Sequence, residues 1–272
     1  MNNTKPLYLA ASLLFALTFI FSCSSDDGDC DCEKLSGNSA NSSSSSSSFT
    51  QSSSSSSSFA QSSSSSVNWC EGFVNGTPRE HYGELKPQFC DERDGKKYVY
   101  VTIGEQTWMA ENLNYVTYGG KCGDGLYISN ANTPTCDTYG RLYEGNVAAS
   151  RYSDLCPPGW YMPSLTEWET LVEALGGASE AGFKLKTTSG WGINGDIDQN
   201  GADEYGFSAL PSGYAGPYDD FYEVGYSSYW WSSTAHPHDN YTGYYIEIGS
   251  WGTISTASRG KSMLYSVRCL RN

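Results

Sequence analysis

The stretch that decides the fold reads Cys156-Pro157-Pro158-Gly159-Trp160-Tyr161-Met162-Pro163-Ser164-Leu165-Thr166-Glu167-Trp168, and runs on to Leu175-Gly176-Gly177. Ser164 with Glu167 three residues later is a capping box, in which the two residues satisfy each other's unpaired N–H groups. Leu165, Trp168, Leu171, Val172 and Leu175 then recur at helical spacing, and Gly176-Gly177 stops the run. A second short helix is expected near 178–185. Elsewhere the period shortens to two. Asp94-Gly95 makes a turn before Lys97–Ile103, where Tyr98, Tyr100 and Thr102 alternate with Val99, Val101 and Ile103. Similar strands are expected at 205–210, 228–233, 243–248 and 264–270. One or two helices among short antiparallel strands and long loops make the expected class α+β.

Of 272 residues, 16 are Lys or Arg and 30 are Asp or Glu, a net charge of −14. Phosphate backbones need clustered cations, so nucleic acid is excluded as a partner. The globular part is 67–272, which holds all eight Trp and 20 of the 21 Tyr. It is long enough to bury a sizeable core.

Residues 1–22 read as an export signal: Lys5, then a nearly unbroken apolar run from Leu7 to Phe21. That run is too short for a bilayer span of about 20 residues. Ile20-Phe21-Ser22-Cys23 resembles the bacterial lipobox, which implies cleavage before Cys23 and its lipidation as a membrane anchor. The acidic stretch behind it, within an N-terminal segment 23–41, resembles a surface-export signal of Gram-negative lipoproteins. The expected address is the outer membrane, at the cell surface. Residues 42–66 are almost all Ser, broken by Phe49-Thr50-Gln51 and Phe59-Ala60-Gln61. Such a tether buries nothing and reaches roughly 25–30 Å as a random coil. Similar poly-Ser tethers occur in secreted systems that degrade plant polysaccharides.

Setting Cys23 aside leaves eight cysteines, an even number that suits oxidised pairs in an exported chain. Cys30 and Cys32 precede the tether. The domain holds Cys70, Cys90, Cys122, Cys136, Cys156 and Cys269, for which 15 connectivities exist. Proximity in sequence favours Cys70–Cys90 and Cys122–Cys136, leaving Cys156–Cys269 as a long-range clasp.

Several segments carry a family resemblance. They are Asp94-Gly95 with Tyr98–Gly104 and Gln106-Thr107-Trp108-Met109-Ala110-Glu111-Asn112-Leu113, and Gly140-Arg141-Leu142-Tyr143. Cys156–Trp160 with Met162-Pro163 and Glu167-Trp168, Tyr205-Gly206-Phe207-Ser208-Ala209-Leu210-Pro211, Trp230-Trp231-Ser232-Ser233 and Val267-Arg268-Cys269 complete them. Together they resemble the Fibrobacter succinogenes major paralogous domain over about 88–271, commonly carried by lipoproteins behind Ser-rich tethers. More distantly the family is similar to C-type-lectin-like folds and to the formylglycine-generating enzymes. That similarity implies a disulfide-stabilised domain with paired terminal strands, a long-range disulfide matching Cys156–Cys269, and a long loop region carrying any site. Fold alone does not fix function.

Asp196, Asp198 and Asn200 alternate before Gly201, with Asp203 and Glu204 behind, a spacing of hard oxygen donors that suits a structural Ca²⁺. The twelfth position of an EF-hand loop would be Phe207, and the sugar-ligating triplets of calcium-dependent lectins are absent. His236-Pro237-His238-Asp239 offers awkward geometry for one Zn²⁺ and reads as a loop tip. The ligand candidates are aromatic and acidic: Tyr214, Tyr218, Asp219, Asp220 and Tyr222, with Trp191 and Trp251. Rings stack on the C–H faces of sugars, and carboxylates accept hydroxyl hydrogen bonds. Catalysis has thin support, with three His, no Gly-x-Ser-x-Gly elbow, and Cys269 standing alone where the formylglycine-generating enzymes use two cysteines. The expected function is a surface-anchored, non-enzymatic domain for an extracellular ligand, with plant cell-wall polysaccharide favoured. The alternative is a structural or protein-docking module of the envelope, and a carbohydrate-active or formylglycine-generating-type enzyme comes third.

Overall fold

The capping box forms. Ser164 Oγ accepts the Glu167 N–H at 3.3 Å, the Glu167 carboxylate accepts the Ser164 N–H at 2.6 Å, and a helix starts at Leu165. This computed structural model describes residues 67–122, 136–148, 154–194, 197–218 and 220–272. The export signal, Cys23, Cys30, Cys32, the Ser tether, Asp196 and Asp219 lie outside the described residues.

The chain begins with β1 (Pro78–His81), β2 (Glu84–Cys90), β3 (Lys97–Ile103), β4 (Gln106–Met109) and β5 (Gly120–Lys121). Next come α1 (Cys136–Tyr139), β6 (Leu142–Glu144), α2 (Gly145–Ala148), β7 (Trp160–Tyr161), α3 (Leu165–Ala174) and α4 (Ala178–Leu185). Short pairs follow: β8 (Ile193–Asn194) with β9 (Ile197–Asp198), and β10 (Tyr214–Ala215) with β11 (Phe221–Tyr222). The long strands β12 (Ser228–Ala235), β13 (Thr242–Ile248) and β14 (Ile254–Gly260) precede β15 (Leu264–Ser266) and β16 (Leu270–Arg271).

One sheet runs β1-β2-β3-β4-β16-β7. A second runs β11-β10-β15-β12-β13-β14, with β6 and β5 attached through β15. Strands take 36% of the described residues and helices 14%, so the fold is mainly β and not the expected α+β. The helical signal was real but local. Only α3 and α4 exceed one turn, at 10 and 8 residues, and both serve as cover for sheets.

The expected strand at 205–210 is also absent. Ser208 has φ 55°, in the left-handed region, and the carbonyls of Phe207 and Ser208 face the Arg268 guanidinium, where a neighbouring strand would have paired them. Ala209 alone forms a bridge, with Lys186.

Between α3, α4 and the second sheet, Trp108, Trp168, Phe207 and Trp230 pack with ring centroids 4.6 to 6.4 Å apart. Leu171, Leu175, Ile246 and Ile248 complete this core. A second core, around Phe89, Trp160 and Met109, meets the other face of β12. Three disulfides close the domain, Cys70–Cys90, Cys122–Cys136 and Cys156–Cys269, the pairing that proximity favours.

Helix α4 approaches the β13–β14 turn so closely that a Cβ on Gly182 would collide with the Gly252 carbonyl, backbone against backbone. Neither partner can rotate away, so Gly182→Ala is expected to cost about 3 kcal/mol. Urea denaturation of the variant checks this; a cost within 0.5 kcal/mol, as on an ordinary surface, would show that α4 moves freely.

Candidate functional site

Side chains alternate across β12, so Trp230 enters the core under α3 while Tyr229 and Trp231 turn to the opposite face. Register extends that face. Tyr229 stands opposite Glu247 and Trp231 opposite Tyr245, and on β14 Ser255, Ala257 and Arg259 oppose Glu247, Tyr245 and Gly243. On the other side β15 adds Tyr265, and the β10–β11 hairpin adds Tyr214 paired directly with Tyr222.

The rings form a continuous series. Tyr222 stacks on Tyr214 at 5.2 Å, Tyr214 meets Tyr229 edge-on at 5.1 Å, and Tyr229 stacks on Tyr265 at 5.3 Å. Tyr265 then touches Tyr245 at 4.8 Å and Trp231 at 4.5 Å. Burial grades along the series: Trp231, Tyr265 and Tyr229 are buried, Tyr214 and Tyr245 half-buried, and Tyr222 is 45% exposed. The inner rings thus fix the outer ones as a rigid surface, each such pair adding about 0.5–1.5 kcal/mol beyond its buried area.

Carboxylates border this surface. The Tyr229 hydroxyl donates to Glu223 at 2.6 Å and lies 3.3 Å from Glu247, which also accepts from Ser255 Oγ at 3.4 Å. Burial pushes the Tyr229 hydroxyl well above its ordinary pKa, and the bond to Glu223 adds to the shift. Burial raises Tyr214 and Tyr245 too, helped by Glu223 and Glu247 respectively. All three phenols therefore remain protonated donors near neutral pH. Flat rings, carboxylate acceptors and the exposed Arg259 together suit a polyhydroxylated ligand with apolar faces.

Of the residues expected from sequence, Tyr214 and Tyr222 come together here, and Asp220 lies 3.4 Å from the Tyr222 hydroxyl. Tyr218 is fully in solvent at the hairpin tip, while Asp219 lies outside the described residues. Trp251 is exposed in the β13–β14 turn. Trp191 is in the core, its indole N–H donating to Thr187 Oγ1 and to the Ala209 carbonyl, with Lys186 Nζ 4.1 Å from its ring. Tyr229, Tyr245, Tyr265, Glu223, Glu247 and Arg259 escaped the sequence reading. Alternation in 228–233 and 243–248 signalled which residues share a side, but only the register joins them to the hairpin.

The oxygen donors at 196–204 do other work among the described residues. Asp198 accepts the Asn200 N–H at 2.9 Å, Asn200 accepts the Trp191 N–H at 2.9 Å, and Asp203 accepts both the N–H and the hydroxyl of Ser208 at 2.7 Å. The Glu204 N–H donates to the Lys184 carbonyl at 3.0 Å, and Asp196 lies outside the described residues. His236 Nδ1 sits 3.1 Å from Asp239, whose carboxylate caps the N–H groups of Tyr241 and Thr242. No group of three or more His, Cys, Asp or Glu among the described residues is arranged to hold a metal ion.

No curated protein and no solved structure matches the chain. The lectin-like and formylglycine-generating-enzyme-like folds thus gain no support from known structures. Residues 101–271, more than half of the chain, match the Fibrobacter succinogenes major domain, and the chain belongs to that family.

Proposed function

We propose that the domain is a non-enzymatic glycan-binding module, and that the tyrosine face is where the glycan lies. The observation that carries this reading is the graded ring series, which ends in the half-buried Tyr214 and exposed Tyr222 beside Glu223 and Glu247. Plant cell-wall polysaccharide is the favoured ligand, supported by the poly-Ser tether. The lipobox at Cys23 and the acidic residues behind it support a surface-anchored lipoprotein of the outer membrane, with the tether setting the domain off the bilayer.

Retention of the 67–272 domain on insoluble cellulose, xylan and pectin tests this. Tyr222→Ala and Tyr214→Ala are each expected to weaken retention about tenfold, the loss of one stacking ring at roughly 1.4 kcal/mol. Tyr222 is exposed enough for its variant to stay folded, at a cost of about 1 kcal/mol for the lost stack on Tyr214. No retention across a broad glycan panel would sink the reading and leave the protein-docking module. For that alternative, the acidic domain, with 14 Lys or Arg against 25 Asp or Glu, would favour a basic partner.

A further inference from the structure

A separate cavity of about 480 Å³ lies among β1, the segment Ala110–Asn114, α1 and the Ser208–Leu210 segment. Arg268 lines it and is 1% exposed. Its four hydrogen bonds among the described residues go to neutral oxygens: Nε and one Nη to Asn112 Oδ1, at 3.0 and 2.9 Å, and the rest to the carbonyls of Phe207 and Ser208. Phe207 and Trp230 cover its plane, with ring centroids 4.3 and 5.5 Å away. No carboxylate among the described residues pairs with it. A guanidinium has five N–H groups, so at least one remains to be satisfied. A buried cation without a counter-charge is costly, and proteins ordinarily pair it.

Asp203 and Glu111 favour the cation from a distance, but neither reaches it as an ion pair among the described residues. Glu111 is taken by Arg79 at 2.5 Å and by the Val99 N–H at 2.6 Å, and Asp203 is taken by Ser208. Lys96, paired with Asp94 at 3.0 Å, and Lys97 also line the wall, as do the carboxylates of Glu80 and Asp137, neither of which pairs with Arg268. Burial first, then Lys86, Arg79 and Arg268, pull the His81 pKa down to about 3, so the ring is neutral. Ser208, at the wall, and Asp203, bonded to it, both have left-handed φ, whereas that of Tyr82 is set by the two-residue β1–β2 turn. Such strain gathers where a ligand or reaction needs a fixed geometry. Nucleophilic chemistry is a poor match. Ser208 Oγ is 3.5 Å from His81 Nδ1, and His81 Nε2 is 3.9 Å from Glu111, both beyond the contacts of a relay.

We propose that the cavity binds a small organic carboxylate of sugar-acid size, whose carboxylate becomes the counter-charge of Arg268. The volume falls in the range of pockets that take small molecules. Neutral His81 and the Tyr82 side chain, which also line the cavity, are placed to meet the ligand's hydroxyls. The site is independent of the tyrosine face, so either one stands if the other fails.

Titration of the wild-type domain with galacturonate, glucuronate, galactose and inorganic phosphate, followed by the indole N–H resonance of Trp230 and by calorimetry, tests the proposal. Trp230 Nε1 donates to Asn112 Oδ1 at 2.8 Å, beside Arg268, so it reports on this site. At least one uronate is expected to bind at least tenfold more tightly than galactose and phosphate, and to shift that resonance. Asn112→Asp places a carboxylate on the guanidinium and is expected to weaken uronate binding at least tenfold. Equal affinity for galacturonate and galactose, preference for phosphate, or no uronate binding overturns the proposal. So does full affinity in a folded Asn112→Asp. The wild-type comparison decides the matter even where that variant does not fold.

Discussion

Replacing Cys156 and Cys269 by alanine is expected to lower the stability of the domain by about 5 kcal/mol. The two residues are 113 apart in sequence, and opening a loop of that length restores most of the chain entropy that the bond removes from the unfolded state. Both cysteines are buried, and Cys269 sits in the second core beside Val267, Trp160 and Met162, so small cavities add to the loss. Total stability of a domain is about 5–15 kcal/mol, which puts the variant near the edge of folding. The Cys122–Cys136 bond closes a loop of only 14, and the expected cost of removing it is smaller, about 3 kcal/mol. Urea denaturation of both pairs under oxidising conditions checks the order. A smaller loss for Cys156–Cys269 than for Cys122–Cys136 would mean that the loop between the first pair stays ordered when the domain unfolds.

The second large effect is acid destabilisation through His81. Its folded pKa is depressed to about 3 from an ordinary 6.5, chiefly by burial. The unfolded chain therefore binds the proton first as pH falls, so stability is fully present above about pH 6.5 and is lost down to about pH 3. At 1.36 kcal/mol per unit, the whole window amounts to about 5 kcal/mol, and about 3 kcal/mol of it is spent by pH 4. His81→Gln removes the titration. Between pH 7 and pH 4 the unfolding free energy from denaturant titration is expected to fall steeply in wild type and by about 3 kcal/mol less in the variant. Parallel falls in the two proteins would place the acid sensitivity on carboxylates instead.

Helix α3 and the strand at Lys97–Ile103 were legible because local chemistry specifies them: a capping box, a clean period and glycine stops. The disulfides followed from simple proximity. By contrast, β14 was invisible. Its residues Ser255 to Gly260 are exposed and polar, so no alternation marks them, and the strand exists because β13 offers a free edge. The segment 205–210 failed in the other direction. It is rich in apolar residues, yet its carbonyls are drawn to a guanidinium some sixty positions away. The tyrosine face was half legible. Tyr214 and Tyr222 stand out within one short stretch, whereas Tyr229, Tyr245 and Tyr265 join them only through strand register. Arg268 stood in the Val267-Arg268-Cys269 segment of the family resemblance, but its burial was not legible, because an arginine in a sequence does not show whether it lies on the surface or in the interior.

The position of β16 bears on the order in which the domain can be built. Leu270 pairs with Trp108 of β4 on one side and with Tyr161 of β7 on the other, so this strand is the seam of the first sheet. A chain leaving a ribosome or a translocation channel N-terminus first delivers β4 and β7 long before β16. Until then those two strands have no common neighbour, and the indole of Trp108 lacks the strand that closes over it. The first sheet is therefore completed only when Leu270–Arg271 arrive. Delay is here a property of topology: the strand that joins the two halves of the first sheet is among the last residues made.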